Sequence, residues 1–563
     1  MKKLWNDIKQ LIAGRRIQKQ LGEKAGEGLE FIRRFFFIFN KYLAIFGGAL
    51  LIYLILLVLL VYVERGAPGA RIHNIEHAVW YSLATFTTVG YGDFYPVTPA
   101  GRAVASVFLI LGIGLLGFFV GFMVEFIARI KPVLILSLNT GKPWYIFTDR
   151  SQYSVIFAQN LKKVRPDALI IYAGTRSDGD EADQSVSVSW DVNELLERRG
   201  SLYDAHIMCM KENEMDNFLD AVALADTGVP IICLAGFTPA HHPMNINFFS
   251  PSDCTARIFW QQYPVKKPSE KILLVGFGNA GKVLLDRALE LNVLYDKQNI
   301  CYHVFGESGE YCRNRKLLDR IVSLNKPSDS KDSVIFHDDL WNTNEELLRE
   351  ADRIVLCSDS EQENISILHK IQKFFVVSGS IYIYNSNVRS VATPFGQTSD
   401  VLTPAFVLHN RLSDMALCRH ELFRFYSQSP DIPMWEDLNS LVKDMNYITT
   451  DHISMKVRMM LGEKAPAVPF DDLEPEVLRE ASGVYHALDE ARRGIMLRIE
   501  HERSLRFYLL HNFRYGEKID DEERVNPLIK PFDELSDKEK NLSETAWALL
   551  DELASHKEAR RGR

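Results

Sequence analysis

Nine residues, Thr85-Phe-Thr-Thr-Val-Gly-Tyr-Gly-Asp93, lie between two apolar runs that are each long enough to cross a bilayer, and they constrain the chain more than any other stretch. Tyr42 to Val63 is uncharged and would reach about 33 Å as a helix, and Ala103 to Ile127 would reach about 37 Å. Between them, Gly90 and Gly92 occupy alternate positions. Glycine accepts the positive-φ conformations needed if every carbonyl of a short extended segment is to face one side. Carbonyls so arranged replace the water shell of a dehydrated cation. Thr88 adds a side-chain oxygen at the inner end, and the Trp80 indole N–H can hold Asp93 at the outer end.

At every position this stretch resembles the potassium-channel signature. The resemblance implies a selectivity filter at Thr88, Val89, Gly90, Tyr91, Gly92 and Asp93, with K⁺ on the oxygens of Thr88, Val89, Gly90 and Tyr91. Tyr42–Val63 is then the outer helix, Gly66–His73 a polar turret, and Ile75–Thr85 a half-crossing helix whose C-terminal dipole favours a cation. Ala103–Ile127 is the inner helix. Its Leu111-Gly-Ile-Gly114 run resembles the gating-hinge region of ligand-gated prokaryotic potassium channels, with Gly112 at the hinge. Gly117 and Gly121 serve either close helix packing or a wide inner mouth. Two spans and one filter cannot enclose a pore, so a homotetramer is expected. No apolar helix carries arginine at every third position, so no voltage sensor of that kind is expected.

At 563 residues the chain has room for three or four domains, and its net charge of −8 leaves no nucleic-acid footprint. Before residue 42 there are ten Lys/Arg against four Asp/Glu. That excess places the N-terminus in the cytoplasm and, with two spans, the C-terminus as well, in a multi-pass protein of the cell inner (plasma) membrane. The first apolar run starts too late and is too long for a cleavable signal. Residues 1–41 carry Leu4, Trp5, Ile8, Leu11 and Ile12 at amphipathic spacing, for a helix on the bilayer surface or docked on the cytosolic domains. The seven cysteines all follow the membrane part and read as reduced core residues.

After Lys131-Pro132 short strand-like runs alternate with helical ones, the pattern of doubly wound (Rossmann-like) α/β domains. A first domain, 131–265, has strands expected at Trp144–Thr148, Ala168–Tyr172, Val186–Trp190, Ala205–Met210 and Pro230–Ala235. Where a glycine turn belongs it has Thr148-Asp149-Arg150-Ser151, whose side chains block a pyrophosphate. A second domain, 266–403, opens on Lys271-Ile-Leu-Leu-Val-Gly-Phe-Gly-Asn-Ala-Gly281, a strand running through a glycine-rich turn into a helix. The expected binding residues are Gly276, Phe277, Gly278, Asn279, Ala280 and Gly281, with phosphate on the helix N-terminus. Glu307, after the next strand, can accept from ribose hydroxyls, which favours NAD(H) or an adenine nucleotide; Ser358 and Asp359 border the same crevice. A ligand-free domain that has kept its glycines is the alternative. His241-His242 and His337-Asp338-Asp339 could each contribute to a divalent-cation site, although solvated loops fit their spacing better.

A pore followed by two such domains resembles the ligand-gated potassium channels with cytosolic RCK (regulator of K⁺ conductance) domains, over about residues 42 to 410. The resemblance implies a non-enzyme channel gated by a small cytosolic ligand. One departure stands out: the short link between the two domains leaves no room for the usual helical dimerisation lobe. From Pro404 the pattern is helical, with a lobe at 404–479 and a region at 480–563. Within the latter, Asn526-Pro-Leu-Ile-Lys-Pro-Phe-Asp533 and Ala546-Trp547 resemble the RyR repeat of ryanodine receptors; a plain helical oligomerisation lobe is the alternative. Two other functions are weighed. A membrane-anchored NAD-dependent oxidoreductase would need a positioned base, which the crevice residues do not supply; a potassium uptake transporter subunit would carry several degenerate filters in one chain.

Overall fold

The computed structural model describes residues 47–48, 50–139, 141–174, 185–188, 190–199, 204–388, 391–408, 410–428 and 432–560, and inside Pro99–Leu138 the surroundings of some residues are not described. The basic N-terminal segment lies outside the described residues. Contacts divide the chain into two compact units, Met1–Val133 and Leu134–Arg563.

In the first unit residues 50–64 are helical, followed by α1 (Ile75–Phe86) and the start of α2 (Pro99–Leu138). Asn74 stops the turret and starts α1, its side chain accepting from the His77 amide at 2.9 Å. Leu57, Leu60, Ile72, Ala78 and Phe108 form the small buried core, and the Tyr53 and Ser82 hydroxyls meet at 2.6 Å across it. Among the described residues no helix is long and apolar enough to cross a membrane. The first apolar run is described only in part. The second is helical throughout and, from Ala103 to Ile127, holds a single charged residue, Glu125.

The second unit opens with a six-stranded parallel sheet in the order β3-β2-β1-β4-β5-β6, comprising β1 (Trp144–Phe147), β2 (Leu169–Tyr172), β3 (Val186–Ser187), β4 (Ala205–Cys209), β5 (Ile231–Leu234) and β6 (Ile246–Phe249). This is the doubly wound order, with the switch point between β1 and β4. Five strands fall where the alternation puts them. The sixth, β6, was not expected: only Ile246 and Phe249 of its four residues are buried, too short a pattern to stand out beside a His-Pro loop.

A second parallel sheet runs β13-β12-β11-β7-β8-β10-β9. Its strands are β7 (Lys271–Val275), β8 (Cys301–Phe305), β9 (Ser323–Leu324), β10 (Ser333–His337), β11 (Arg353–Leu356), β12 (Ser380–Tyr384) and β13 (Thr393–Phe395). Apart from the added edge strand β9 the order repeats that of the first sheet, with β7 and β11 at the switch point. The link between the sheets is the helix Pro251–Gln262, which packs on the helix Asn279–Leu291; the Trp260 indole donates to the Leu284 carbonyl at 2.9 Å.

The remainder is helical, chiefly Asn410–Ser427, Ser440–Asp451, Ile453–Leu461, Pro475–His486, Glu490–Leu510 and Thr545–Arg560. Trp547 stacks on Tyr485 at 4.5 Å between ring centroids. The Pro531-Phe532-Asp533 segment packs on Glu490–Leu510: Arg498 lies 5.0 Å over the Phe532 ring and holds Asp533 through two bonds of 2.9 and 2.8 Å. Buried ion pairs tie this region to the α/β part, Arg257 to Asp451 at 3.0 Å and Arg506 to Asp332 at 2.7 Å.

Candidate functional site

The stretch after α1 has the backbone that a carbonyl-lined filter requires. Thr88, Gly90 and Gly92 have φ of +56°, +60° and +73°, while the intervening Val89 and Tyr91 stay at negative φ. Alternating handedness of this kind turns successive carbonyls to the same side. Thr88 was expected only to contribute its side chain; its backbone proves to be part of the alternation, a conformation a β-branched residue adopts only when its surroundings impose it. The imposing contacts are local. The Val89 and Gly90 amides donate to the Ala84 carbonyl at 3.0 and 3.1 Å, fastening the start of the stretch to the end of α1. At its far end the Trp80 indole donates to Asp93 Oδ2 at 2.8 Å, and the Trp80 and Tyr91 rings stack at 5.8 Å.

A second anchor was not legible as such. Glu64, fully buried, accepts from the Val97 and Thr98 amides at 2.9 Å each and from the Thr98 hydroxyl at 2.6 Å. It fixes the link that leads from the Thr88–Asp93 stretch into α2. Gly112 falls within α2, and its surroundings are not described.

In the second α/β domain the expected residues do converge. Gly276, at φ +84°, follows β7 so closely that a Cβ would lie 2.7 Å from that of Ser358, which follows β11. Gly306, at the end of β8, packs its backbone on Phe277. Phe277 itself is buried against Tyr311 and Phe336 and so offers a ligand only its backbone. Glu307 is exposed at the crevice edge, accepting from the Gly309 amide at 3.2 Å.

What the spacing could not reveal is the place of Asp359. Its carboxylate accepts from the Asn279 amide at 2.8 Å and the Ala280 amide at 3.0 Å, the free N–H groups at the start of helix Asn279–Leu291. These are the donors a pyrophosphate would use. Gly278 is what lets the carboxylate in, since a Cβ there would stand 2.5 Å from Asp359 Oδ2. The chain thus places its own carboxylate on the amides at the start of this helix.

In the first domain the equivalent turn is filled by its own side chains. Ser151 caps helix Gln152–Val164 and donates to the Met210 carbonyl, Asp149 accepts from the Ser151 amide at 3.2 Å, and Arg150 lies 5.4 Å over the Tyr172 ring. Of the histidines weighed as metal ligands, His337 meets His303 at 2.9 Å and Asp339 at 3.6 Å. Burial, then repulsion from His337 and Lys271, push His303 down to about 4. Among the described residues no group of three His, Cys, Asp or Glu side chains could hold a metal ion.

These features define a class: a pore module of ion-channel type joined to parallel-sheet, Rossmann-like α/β domains and a helical C-terminal region. Residues 43–129 match the family model described as ion channel. Among curated relatives, a calcium-gated potassium channel of Thermoplasma volcanium, TvoK, is 46% identical over 54 residues, 10% of this chain and 16% of its own. A voltage-gated potassium channel of Aeropyrum pernix is 34% identical over 89 residues, 16% of this chain and 28% of its own. The chain therefore spans well under a third of the length of these relatives. Among solved structures, the GsuK channel bound to ADP covers 66% of this chain and 98% of that one, with 16% identity and a TM-score of 0.33. The NAD-bound GsuK channel covers 69% and 85%, with 15% identity and a TM-score of 0.31.

Proposed function

We propose that this chain is the subunit of a homotetrameric, potassium-selective channel of the inner (plasma) membrane, gated by a nucleotide such as NAD(H) or ADP in its second α/β domain. The observation that carries the reading is the alternation of positive φ at Thr88, Gly90 and Gly92, held between Ala84 and Trp80. Single-chain exposure supports the tetramer: Val89 is 52% and Tyr91 67% exposed, as expected of residues that face other copies. That the relatives matching this stretch are named potassium channels supports the ion. Tyr42–Val63 and Ala103–Ile127 are the two spans, both termini are cytoplasmic, and Gly112 is the hinge. The two α/β domains, 131–265 and 266–403, are of the RCK type and transmit ligand binding to α2, the first as a structural member and the second as the sensor. Glu307 and the turn Gly276–Gly281 receive the nucleotide, which must displace Asp359 from the Asn279 and Ala280 amides.

Purified full-length protein in planar bilayers tests this, with K⁺ and Na⁺ on opposite sides and ADP, NAD(H) or divalent cations added to the cytosolic face. A reversal potential set by K⁺ and an open probability that responds to nucleotide are expected. Equal permeation of Na⁺ defeats the filter assignment. Insensitivity to nucleotide, with a response to divalent cations, reassigns the ligand.

A further inference from the structure

The helical residues 50–64 grip the chain on both sides of the Thr88–Asp93 stretch. Beyond its far end, Glu64 holds the Val97 and Thr98 amides. Before its near end, the Tyr53 hydroxyl meets the Ser82 hydroxyl at 2.6 Å. Ser82, 0% exposed, donates in turn to the Val79 carbonyl at 2.8 Å. A serine hydroxyl has a single hydrogen to give, so Tyr53 is the donor of the pair. The Tyr53 ring is held as well: it packs on Phe86, the last residue of α1, at 5.8 Å between centroids and edge-on to Phe108 of α2 at 5.7 Å. Phe108 is fully buried, and Leu57 and Leu60, further along the same helix as Tyr53, belong to the same core.

Ser82 stands in the same turn of α1 as Ala84, whose carbonyl accepts from the Val89 and Gly90 amides at 3.0 and 3.1 Å. The hydroxyl contact therefore fixes how α1 is turned about its axis and how deep it sits. With that it fixes the point from which the alternating backbone starts. Tyr53 and Glu64 lie 11 residues apart on one helix, about 16 Å at 1.5 Å per residue. The backbone from Thr88 to Asp93 spans at most about 18 Å when fully extended. The two holds are thus spaced by roughly the length of the stretch they bracket. A helix closes its own backbone hydrogen bonds, so this spacing does not yield to side-chain rearrangement.

We propose that the 50–64 helix is a strut that sets the length of the filter, with Tyr53 as the positioning residue at its inner end, acting on Thr88–Gly92 through Ser82 and Ala84. The inference rests on the reading of that stretch as a potassium filter. Rings of carbonyls discriminate between cations by where their oxygens stand and how many reach the ion, and a backbone held beyond both ends keeps both. The Tyr53 hydroxyl is not needed for packing. A phenylalanine at 53 keeps the ring contacts with Phe86 and Phe108, and Ser82 keeps the Val79 carbonyl, so its loss leaves no buried donor unanswered. What the hydroxyl adds is position.

The test is the reversal potential of the full chain in planar bilayers with K⁺ on one side and Na⁺ on the other, alongside melting temperatures in detergent. Tyr53→Phe should melt close to the parent yet lower the K⁺ over Na⁺ permeability ratio about two- to tenfold, the range of one hydrogen bond. Ser82→Ala removes the other partner and should lower the ratio as far, with a lower melting temperature because the Tyr53 donor loses its acceptor. The double variant should lose no more selectivity than either single one, since one bond is broken in all three. Leu57→Val thins the same core without touching that bond; it should melt lower and keep the parental ratio. A parent that passes Na⁺ as readily as K⁺ overturns the filter reading and this inference with it. A selective parent whose Tyr53→Phe and Ser82→Ala variants are equally selective overturns the strut alone. So does a Leu57→Val variant that loses selectivity in step with its melting temperature, since the hydroxyl pair would then be one structural contact among others.

Discussion

Asp359 caps Asn279: the carboxylate that follows β11 accepts the first free amide of the helix that follows the glycine turn, at 2.8 Å, and takes the Ala280 amide with its other oxygen. A nucleotide phosphate bound at this turn, as proposed, would compete with this carboxylate for the same two donors and carry the same sign of charge. Asp359→Asn keeps the shape and removes the charge. ADP and NAD(H) should then bind about two- to thirtyfold more tightly, from the ~0.3–2 kcal/mol that a charge at a helix N-terminus is worth. Calorimetry on the full chain measures it. Weaker binding by the variant would mean that Asp359 contacts the ligand directly and does not compete with it.

The filter makes a cleaner prediction because nothing stands where the substitution goes. Gly92 has φ +73°, and a Cβ added there meets no atom within 4 Å in the single chain. Gly92→Ala is therefore a test of backbone conformation without a clash, at about 1–2 kcal/mol per subunit for the left-handed region. Tetramers should still form on size-exclusion chromatography while selective K⁺ conduction is lost. Parental K⁺ over Na⁺ selectivity in the variant would show that the alternating backbone is not what selects the ion.

Glu64 supplies a third case. Glu64→Ala strips three hydrogen bonds from the Val97-Thr98 link and leaves two amides unanswered, for an expected loss of about 1–3 kcal/mol per unsatisfied group. Glu64→Gln should retain part of this. Melting temperatures in detergent should rank parent, Gln, Ala in falling order. Gly101→Ala should be as damaging as Glu64→Ala, because its Cβ would fall 2.0 Å from Glu64 Oε1.

The difference between what was legible in the sequence and what was not follows from the range of the signal. Strand-helix alternation is local, so most strands of the first sheet, and β7, β8 and β11 of the second, could be placed to within a residue or so. β6, β9 and β13 are short edge strands that carry little periodicity, and β12, although it lies inside the sheet between β13 and β11, is a short apolar run that periodicity alone does not tell from a helix. The alternating backbone of Thr88–Gly92 and the glycine turn were legible because each is one contiguous segment whose backbone demands particular residues. Glu64 with Val97 and Asp359 with Asn279 are pairings across 33 and 80 positions. No spacing rule reaches that far. The two turns also diverge for a local reason: Gly278 admits a carboxylate from another strand, whereas Arg150 and Ser151 fill the equivalent space themselves.

The last prediction concerns what holds the helical region on the second α/β domain. Arg506, on Glu490–Leu510, reaches Asp332 Oδ2 at 2.7 Å, and both side chains are almost fully buried, at 5% and 0% exposure. Asp332 also accepts from Gln298 at 2.8 Å and from the Ile300 amide at 2.7 Å, so its charge keeps two donors when the arginine goes. Removing one member of a buried pair costs about 3–5 kcal/mol, and those two donors place Arg506→Ala toward the lower end. Asp332→Asn should lose a comparable amount, because its one carbonyl oxygen can still accept from the Ile300 amide but its NH2 then faces the Gln298 and Arg506 donors at the Oδ2 position. In a double-mutant cycle the two losses should fall short of adding, since either change alone already breaks the pair. Hydrogen exchange across residues 490–510 is the direct readout: amides there should open earlier in Arg506→Ala while the strands of the first sheet keep their protection. Uniform loss of protection in both places would instead mean that the pair stabilises the whole unit and does not act as a local clasp.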